Sequence, residues 1–239
     1  MLPFISCLCP TYKRPDYLAN AVACFIAQDY PVDRRELIVC DDAGQFYSQN
    51  GPNWFLFSAV QRVADTLPGK YNWMASLADA RADIICPWED DDIYLSGHLR
   101  QIAEAGGDFI TPTHVWSTYN EPDCQAHREE AHGRFHGAWA FTRKLFDEVG
   151  GYPKTKICGF DQKTRSLLLE HTTETKTTTP TYVYRFDTGI YQTSSRGEEG
   201  YAEHWASVEK IPAPWLGTLH PKFDNETESL YKQLAGVTF

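Results

Sequence analysis

Apolar residues in the first hundred positions alternate between short continuous runs and helically spaced sets. Residues 4–9 form a run that Pro10-Thr11-Tyr12-Lys13-Arg14-Pro15 breaks, which predicts a strand followed by a loop. Leu18, Ala21, Val22, Phe25 and Ile26 then recur at helical spacing, predicting a helix over 16–28 with Asp16 placed to cap it. Residues 36–40 predict a second strand ending at Asp41-Asp42-Ala43-Gly44, and a weaker strand falls within 54–60. A helix over 71–82 leads to a strand over 83–88, which runs into Glu89-Asp90-Asp91-Asp92. Another helix over 95–105 is stopped by Gly106-Gly107, and a further strand starts at 108–111.

Beyond residue 111 the texture changes. Residues 114–119 and 135–142 are aromatic-rich and strand-like, 143–149 is a short helix stopped by Gly150-Gly151, and 160–169 is helical on pattern. The Thr-rich thread 172–181 reads as a loop running into a strand. Residues 181–185 and 188–193 predict a hairpin around Asp187, and prolines in the tail precede a short helix near 226–234. Strands alternating with helices define an α/β fold: a Rossmann-like mixed, mostly parallel sheet flanked by helices, with a small antiparallel hairpin region in the second half. There is no internal repeat and no domain boundary, so 1–239 reads as one domain, with a shift of character at about 113–114. Ligands of such sheets sit beyond the carboxyl ends of the strands. The loops at Pro10-Thr11, Asp41-Asp42 and the acidic run should therefore meet in one crevice.

Composition narrows the classes. The 239 residues are 42% hydrophobic and 14% aromatic, as in a globular protein. A formal charge of -10 argues against nonspecific nucleic-acid binding, which needs many cations to displace counterions. It leaves room for a diphosphate if a divalent cation stands between the negative partners. Seven cysteines, an odd number, include Cys7, Cys9, Cys40 and Cys86 in strand-like apolar runs and read as reduced thiols. No apolar run approaches the ~20 residues that cross a bilayer, and the N-terminus lacks signal-peptide character, so a cytoplasmic location is expected.

The acidic run is the sharpest chemical feature. Four adjacent carboxylates repel one another, and hard oxygen ligands of this kind suit Mg²⁺ or Mn²⁺ shared with a diphosphate. The bland alternative is a solvated loop in which Asp92 caps the next helix. Asp41-Asp42 before Gly44 is by itself ordinary turn chemistry. Lys13, Arg14, Lys70, Arg185 and Arg196 are candidate phosphate contacts, with Arg185 and Arg196 preferred. Asp161 alone reads more readily as a helix cap than as a catalytic group. His127, His132 and His136 read as surface histidines, and Trp116, Trp139 and Trp205 as packing residues.

Five ordered segments carry a family resemblance. Cys9-Pro10-Thr11-Tyr12-Lys13-Arg14, the segment Ile38-Val39-Cys40-Asp41-Asp42-Ala43-Gly44, and Asn72 followed by Trp88-Glu89-Asp90-Asp91-Asp92-Ile93-Tyr94 resemble signatures of family 2 glycosyltransferases. Phe135-His136-Gly137-Ala138 through Val149-Gly150-Gly151-Tyr152, and Gly159-Phe160-Asp161, are similar to their later segments. The resemblance implies a GT-A-type fold, with about 1–113 as the nucleotide-binding half and about 114–239 as the acceptor-side half and tail. It implies a metal-dependent, inverting hexosyltransferase-like enzyme that moves a sugar from a nucleoside-diphosphate sugar, expected to be UDP-linked, to an acceptor hydroxyl. Asp161 would be the general base. Asp91 would bind Mn²⁺ or Mg²⁺, with Glu89 on the ribose or a metal-bound water and Gln192 at a position where many members carry a metal-binding His. Candidate donor contacts are Pro10, Thr11, Arg14, Asp41, Asp42, Lys70, Asn72, Glu89, Asp90, Arg185 and Arg196. The chain departs from the pattern at Glu89 (usually Asp), Phe160 (usually Glu) and Gln192 (often His). Two other readings stand beside this one: a catalytically degenerate binding module and a nucleotidyltransferase. The absence of glycine from residues 10–15 weighs against the latter. The acceptor (glycan, protein, metabolite or modified base) is open.

Overall fold

The computed structural model describes residues 1–51, 53–119, 125–155, 159–186 and 197–213. Its elements, in chain order, are β1 (Ile5–Thr11), α1 (Pro15–Ile26), β2 (Arg35–Asp41), β3 (Gln49–Gly51), β4 (Trp54–Ser58), α2 (Leu67–Leu77), β5 (Ile84–Pro87), β6 (Ile93–Tyr94) and α3 (His98–Ala105). The second half adds β7 (Phe109–Pro112), β8 (His114–Tyr119), β9 (Gln125–Glu130), β10 (Ala140–Thr142), α4 (Arg143–Glu148), α5 (Phe160–Leu169), β11 (Glu174–Thr177), β12 (Tyr182–Phe186), α6 (Gly197–Ser207) and β13 (Ile211–Pro212).

Among the described residues the main sheet has eight strands in the order β11-β7-β10-β5-β1-β2-β4-β3. β1 pairs in parallel with both β2 and β5, β2 in parallel with β4, and β11 in parallel with β7. β10 lies antiparallel between β5 and β7, and β3 closes the far edge antiparallel to β4. A second sheet, β13-β9-β8-β12-β6, is mixed: β12 is parallel to β8 and antiparallel to β6. The expected mixed, mostly parallel sheet flanked by helices is therefore present.

Strand alternation sorts the core into two layers. Ile5, Cys7, Cys9, Leu37, Val39 and Cys86 pack with Leu18, Val22 and Phe25 of α1 and with Leu99 and Ile102 of α3. Phe4, Leu8, Ile38, Cys40 and Ile85 face the other way, onto Tyr71 and Met74 of α2, Leu145 and Phe146 of α4 and Leu168 of α5. A strand buried on both faces reads as a continuous apolar run, which is why β1 and β2 were legible without a polar alternation. Cys7, Cys9, Cys24, Cys40 and Cys86 are buried free thiols. Arg35 ties β2 to α1 by donating to the carbonyls of Phe25 (2.7 Å), Gln28 (3.0 Å) and Ile26 (3.2 Å), which closes the C-terminus of α1.

Several element boundaries differ from expectation for identifiable reasons. α1 starts with Pro15 at its first turn and takes no side-chain cap, so Asp16 lies inside the first turn instead of capping it. α2 begins at Leu67, four residues early, because the Thr66 hydroxyl accepts from the Gly69 amide and Pro68 is tolerated in the first turn. Residues 135–142 are strand only from Ala140. Before it, Phe135 takes a left-handed conformation (φ 60°) and His136–Ala138 forms a 3₁₀ turn. β12 is the first strand of the expected hairpin, and its partner and the expected helix near 226–234 lie outside the described residues. No helix among the described residues is long and apolar enough to cross a membrane.

Candidate active site

The carboxyl ends of β1, β2 and β5 open into a cavity of about 830 Å³. Pro10, Thr11, Arg14, Asp42, Lys70, Glu89, Asp90, Asp91 and Asp161 all line it, together with Asp92. Residues separated by up to 151 positions in sequence are thus brought to one crevice by the strand ends and by the first turn of α5.

The acidic run divides into distinct environments. Asp91 meets the Arg14 guanidinium at 2.5 Å, and the same nitrogen stands 3.5 Å from Asp90. Burial, reinforced by Asp91, pushes the Asp90 carboxyl up to about 7, with Arg14 opposing the shift. Arg14 pays a desolvation penalty, but Asp91 and Asp90 outweigh it and raise the guanidinium further. Asp92 is buried and accepts from the Tyr182 hydroxyl and from the Arg185 amide at 3.0 Å. It does not cap α3, whose N-cap is Gly97; burial holds its carboxyl well above the ordinary range.

Glu89 points to a different set. His136 Nδ1 lies 2.8 Å from Glu89 Oε1, and His136 Nε2 lies 2.7 Å from the Tyr152 hydroxyl. The Glu89 amide donates to the Tyr94 hydroxyl at 2.6 Å. Gly137 permits this approach, because a Cβ there would meet Glu89 Cγ at 2.7 Å and the Tyr182 hydroxyl at 2.8 Å. The expectation of surface histidines holds for His132, which is 68% exposed. It fails at His136, because the 3₁₀ turn after Phe135 rotates this ring into the cavity wall. Phe160, at the position where the family carries Glu, packs its ring 5.2 Å from His136 and 5.8 Å from Tyr152.

Lys70 is buried at the cavity edge, donating to Asp42 at 2.6 Å and to the Thr11 carbonyl at 2.8 Å. Three further candidates stand behind the lining. Asp41 is fully buried, and its carboxylate accepts from the Ala43 and Gln45 amides and the Ser58 hydroxyl, fixing the loop that presents Asp42. Asn72 exchanges hydrogen bonds with the Tyr152 backbone at 2.9 and 2.8 Å. Gly151, at φ 79°, leaves the room this requires. Arg185 is buried, lies 4.8 Å over the Tyr17 ring and donates to the Asp91 carbonyl. Gln192 and Arg196 lie outside the described residues.

Asp161 is the second residue of α5, after Gly159 as N-cap, so it is not the cap. Its carboxylate sits in the first turn, where the helix dipole favours negative charge, and faces the cavity. To the same cavity β12 presents Tyr182, Tyr184 and Phe186 on one face, as the period of two requires. Arg62 and Arg134 also line the cavity. They were not singled out in the sequence, where nothing distinguishes them from other surface arginines.

The donor set fits a divalent cation of the Mg²⁺ or Mn²⁺ type. Among the described residues no three His, Cys, Asp or Glu side chains converge as a complete cage. Such cations, however, take only one or two carboxylates when phosphates supply the remaining oxygens. Asp90 is 3% exposed, and its Oδ2 has no hydrogen-bond partner among the described residues, which leaves a buried hard oxygen at the lining.

Neither a protein-family model nor a curated protein matches the chain. Solved structures do. A mannosyltransferase from Pyrobaculum calidifontis, determined with GDP-Man and Mn²⁺, superposes with a TM-score of 0.56 at 16% identity, over 99% of this chain and 74% of that one. Residues 1–349 of S. aureus TarS with UDP-GlcNAc give 0.59 at 12% identity, over 97% and 70%. The longer TarS chain is spanned to 42% of its length, with a TM-score of 0.55. The chain has the GT-A-type fold of these glycosyltransferases.

Proposed function

We propose that the protein is an inverting glycosyltransferase that uses a nucleoside-diphosphate sugar, with UDP as the expected nucleotide and Mn²⁺ or Mg²⁺ as the cation. One observation carries the reading: Thr11, Asp42, the acidic run and Asp161 line a single cavity at the carboxyl ends of parallel strands. The neighbours of like fold, crystallised with GDP-Man and with UDP-GlcNAc, support it.

In this reading the nucleoside lies over Pro10, Thr11 and Asp42, while Asp41 holds the loop from behind. Asp90 and Asp91 would hold the cation, which when bound neutralises charge on the leaving diphosphate. Arg14 adds a fixed positive charge beside it, and Glu89, oriented by His136, faces the ribose or a water. Asp161 takes the proton from the acceptor hydroxyl as its oxygen bonds to the anomeric carbon. The bond to the nucleoside diphosphate breaks on the opposite face, which inverts the centre. The aromatic face of β12 lines the acceptor side.

The test is a panel of UDP- and GDP-sugars with and without EDTA, scored for donor hydrolysis and for transfer to simple sugars. Metal-dependent release of nucleoside diphosphate supports the proposal. Absence of any nucleotide binding sinks it, and tight donor binding without turnover makes the protein a binding module.

A further inference from the structure

The guanidinium of Arg14 stands where a cation shared by Asp90 and Asp91 would have to sit. It reaches Asp91 at 2.5 Å and Asp90 at 3.5 Å, with side chains only 14%, 12% and 4% exposed respectively. Arg14 belongs to the loop after β1 and is the N-cap residue of α1, where its carbonyl accepts from the Leu18 amide at 3.0 Å. Its charge is permanent, because guanidinium does not deprotonate in proteins. On that geometry, resting on the glycosyltransferase reading above, we propose that Arg14 is a built-in counter-ion. It keeps the Asp90–Asp91 pair closed to a divalent cation until a nucleoside diphosphate enters, so that cation and diphosphate bind as one unit.

The charge count supports this order. Taken as a cluster, Asp90, Asp91 and Arg14 carry at most one negative charge. A divalent cation arriving alone would turn that into a net positive cluster in which two cations crowd the same oxygens. A diphosphate supplies the missing negative charge and also offers the guanidinium a second anion, to which Arg can donate in a bidentate fashion. Released from Asp91, the two carboxylates regain their oxygens, and Asp90 Oδ2 has no hydrogen-bond partner among the described residues. Lys70 is not equivalent, because it is held by Asp42 and the Thr11 carbonyl and stands on α2. Arg185 touches the run through the Asp91 backbone carbonyl and, by its amide, the Asp92 carboxylate, whereas the Arg14 guanidinium meets the carboxylates of Asp90 and Asp91.

The experiment is a Mn²⁺ titration of the full chain, read by the electron-paramagnetic-resonance signal of free Mn²⁺. It is run alone and with saturating UDP or GDP, on the wild type, Arg14→Gln and Arg14→Lys. An adjacent Arg⁺ shifts a carboxylate's proton affinity by roughly one to three pKa units, and a competing metal meets a comparable handicap. Wild type should therefore bind Mn²⁺ weakly alone and at least about tenfold tighter with the diphosphate. Arg14→Gln should bind Mn²⁺ alone at least about tenfold tighter than wild type, with the gain on adding diphosphate correspondingly reduced. Arg14→Lys, a point charge of the same sign, should fall between them, and it carries the test if the Gln variant does not fold. By linkage, Mn²⁺ must tighten the diphosphate by the same factor that the diphosphate tightens Mn²⁺. If neither variant binds Mn²⁺ alone more tightly than wild type, the counter-ion role is overturned while the glycosyltransferase reading stands. If no form binds UDP or GDP with or without Mn²⁺, it is the glycosyltransferase reading that fails.

Discussion

At the scale of single residues, the cavity assigns different work to carboxylates that look alike in the sequence. Asp41 is consumed by its own loop, Asp42 pairs with Lys70, Asp91 with Arg14, Asp92 with Tyr182, and Asp161 faces the cavity from a helix start. Asp161→Asn should lower turnover by about 10²- to 10⁴-fold, the usual worth of a general base. It should leave UDP affinity unchanged, as measured by calorimetry beside steady-state rates; equal loss of both would assign Asp161 to donor binding. Gly137→Ala tests the Glu89 environment, because the new Cβ falls within 2.7 Å of Glu89 Cγ. Overpacking of this kind costs about 1–3 kcal/mol and should displace Glu89. The expected result is a lower urea midpoint together with weaker donor binding, whereas unaltered melting and binding would show that Glu89 moves aside at no cost.

At the scale of elements, α2 carries Lys70 into the site and Asn72 behind it, so its first turn bears on function. Thr66→Ala removes the cap on the Gly69 amide and should cost about 1 kcal/mol in denaturant unfolding. Thr66→Ser should restore most of that. How much could be read from the sequence follows the same lines. Strands β1, β2, β5 and β7 were legible because burial on both faces makes them unbroken apolar runs. The start of α2 was hidden, since Pro68 and Gly69 look like breakers until Thr66 is recognised as a cap. β9 was not anticipated, because a strand with the sequence Gln-Ala-His-Arg-Glu-Glu shows no apolar alternation and is specified by pairing with β8 and β13. In the site, the acidic run, Thr11 and Asp161 stood out through motif order. His136 did not, because only the left-handed turn at Phe135 sends it inward. Nothing in spacing separates Arg14, which meets the acids, from Lys13, which does not.

At the scale of the whole molecule, the acidic run is a junction between the two sheets. The run leads from the end of β5 in the main sheet at Pro87 to β6 of the second at Ile93, and its last residue, Asp92, accepts from Tyr182 and Arg185 of β12 in that second sheet. Tyr182→Phe removes one donor from a buried carboxylate, which should cost about 1–3 kcal/mol. If the sheets unfold together, near-ultraviolet and far-ultraviolet circular dichroism will shift by the same amount. Separate transitions would show instead that the junction does not couple them. The main sheet is also interleaved in sequence, since β10, from the second half, fills the place between β5 and β7. β7 ends at Pro112 and β10 at Thr142, 30 residues further on. During synthesis at about 5–20 residues per second, β5 and β7 therefore emerge with facing edges unpaired for roughly two to six seconds. Unpaired edges are templates for the wrong strand, so the ribosome-bound stage between these two strands leaves the main sheet open to mispairing.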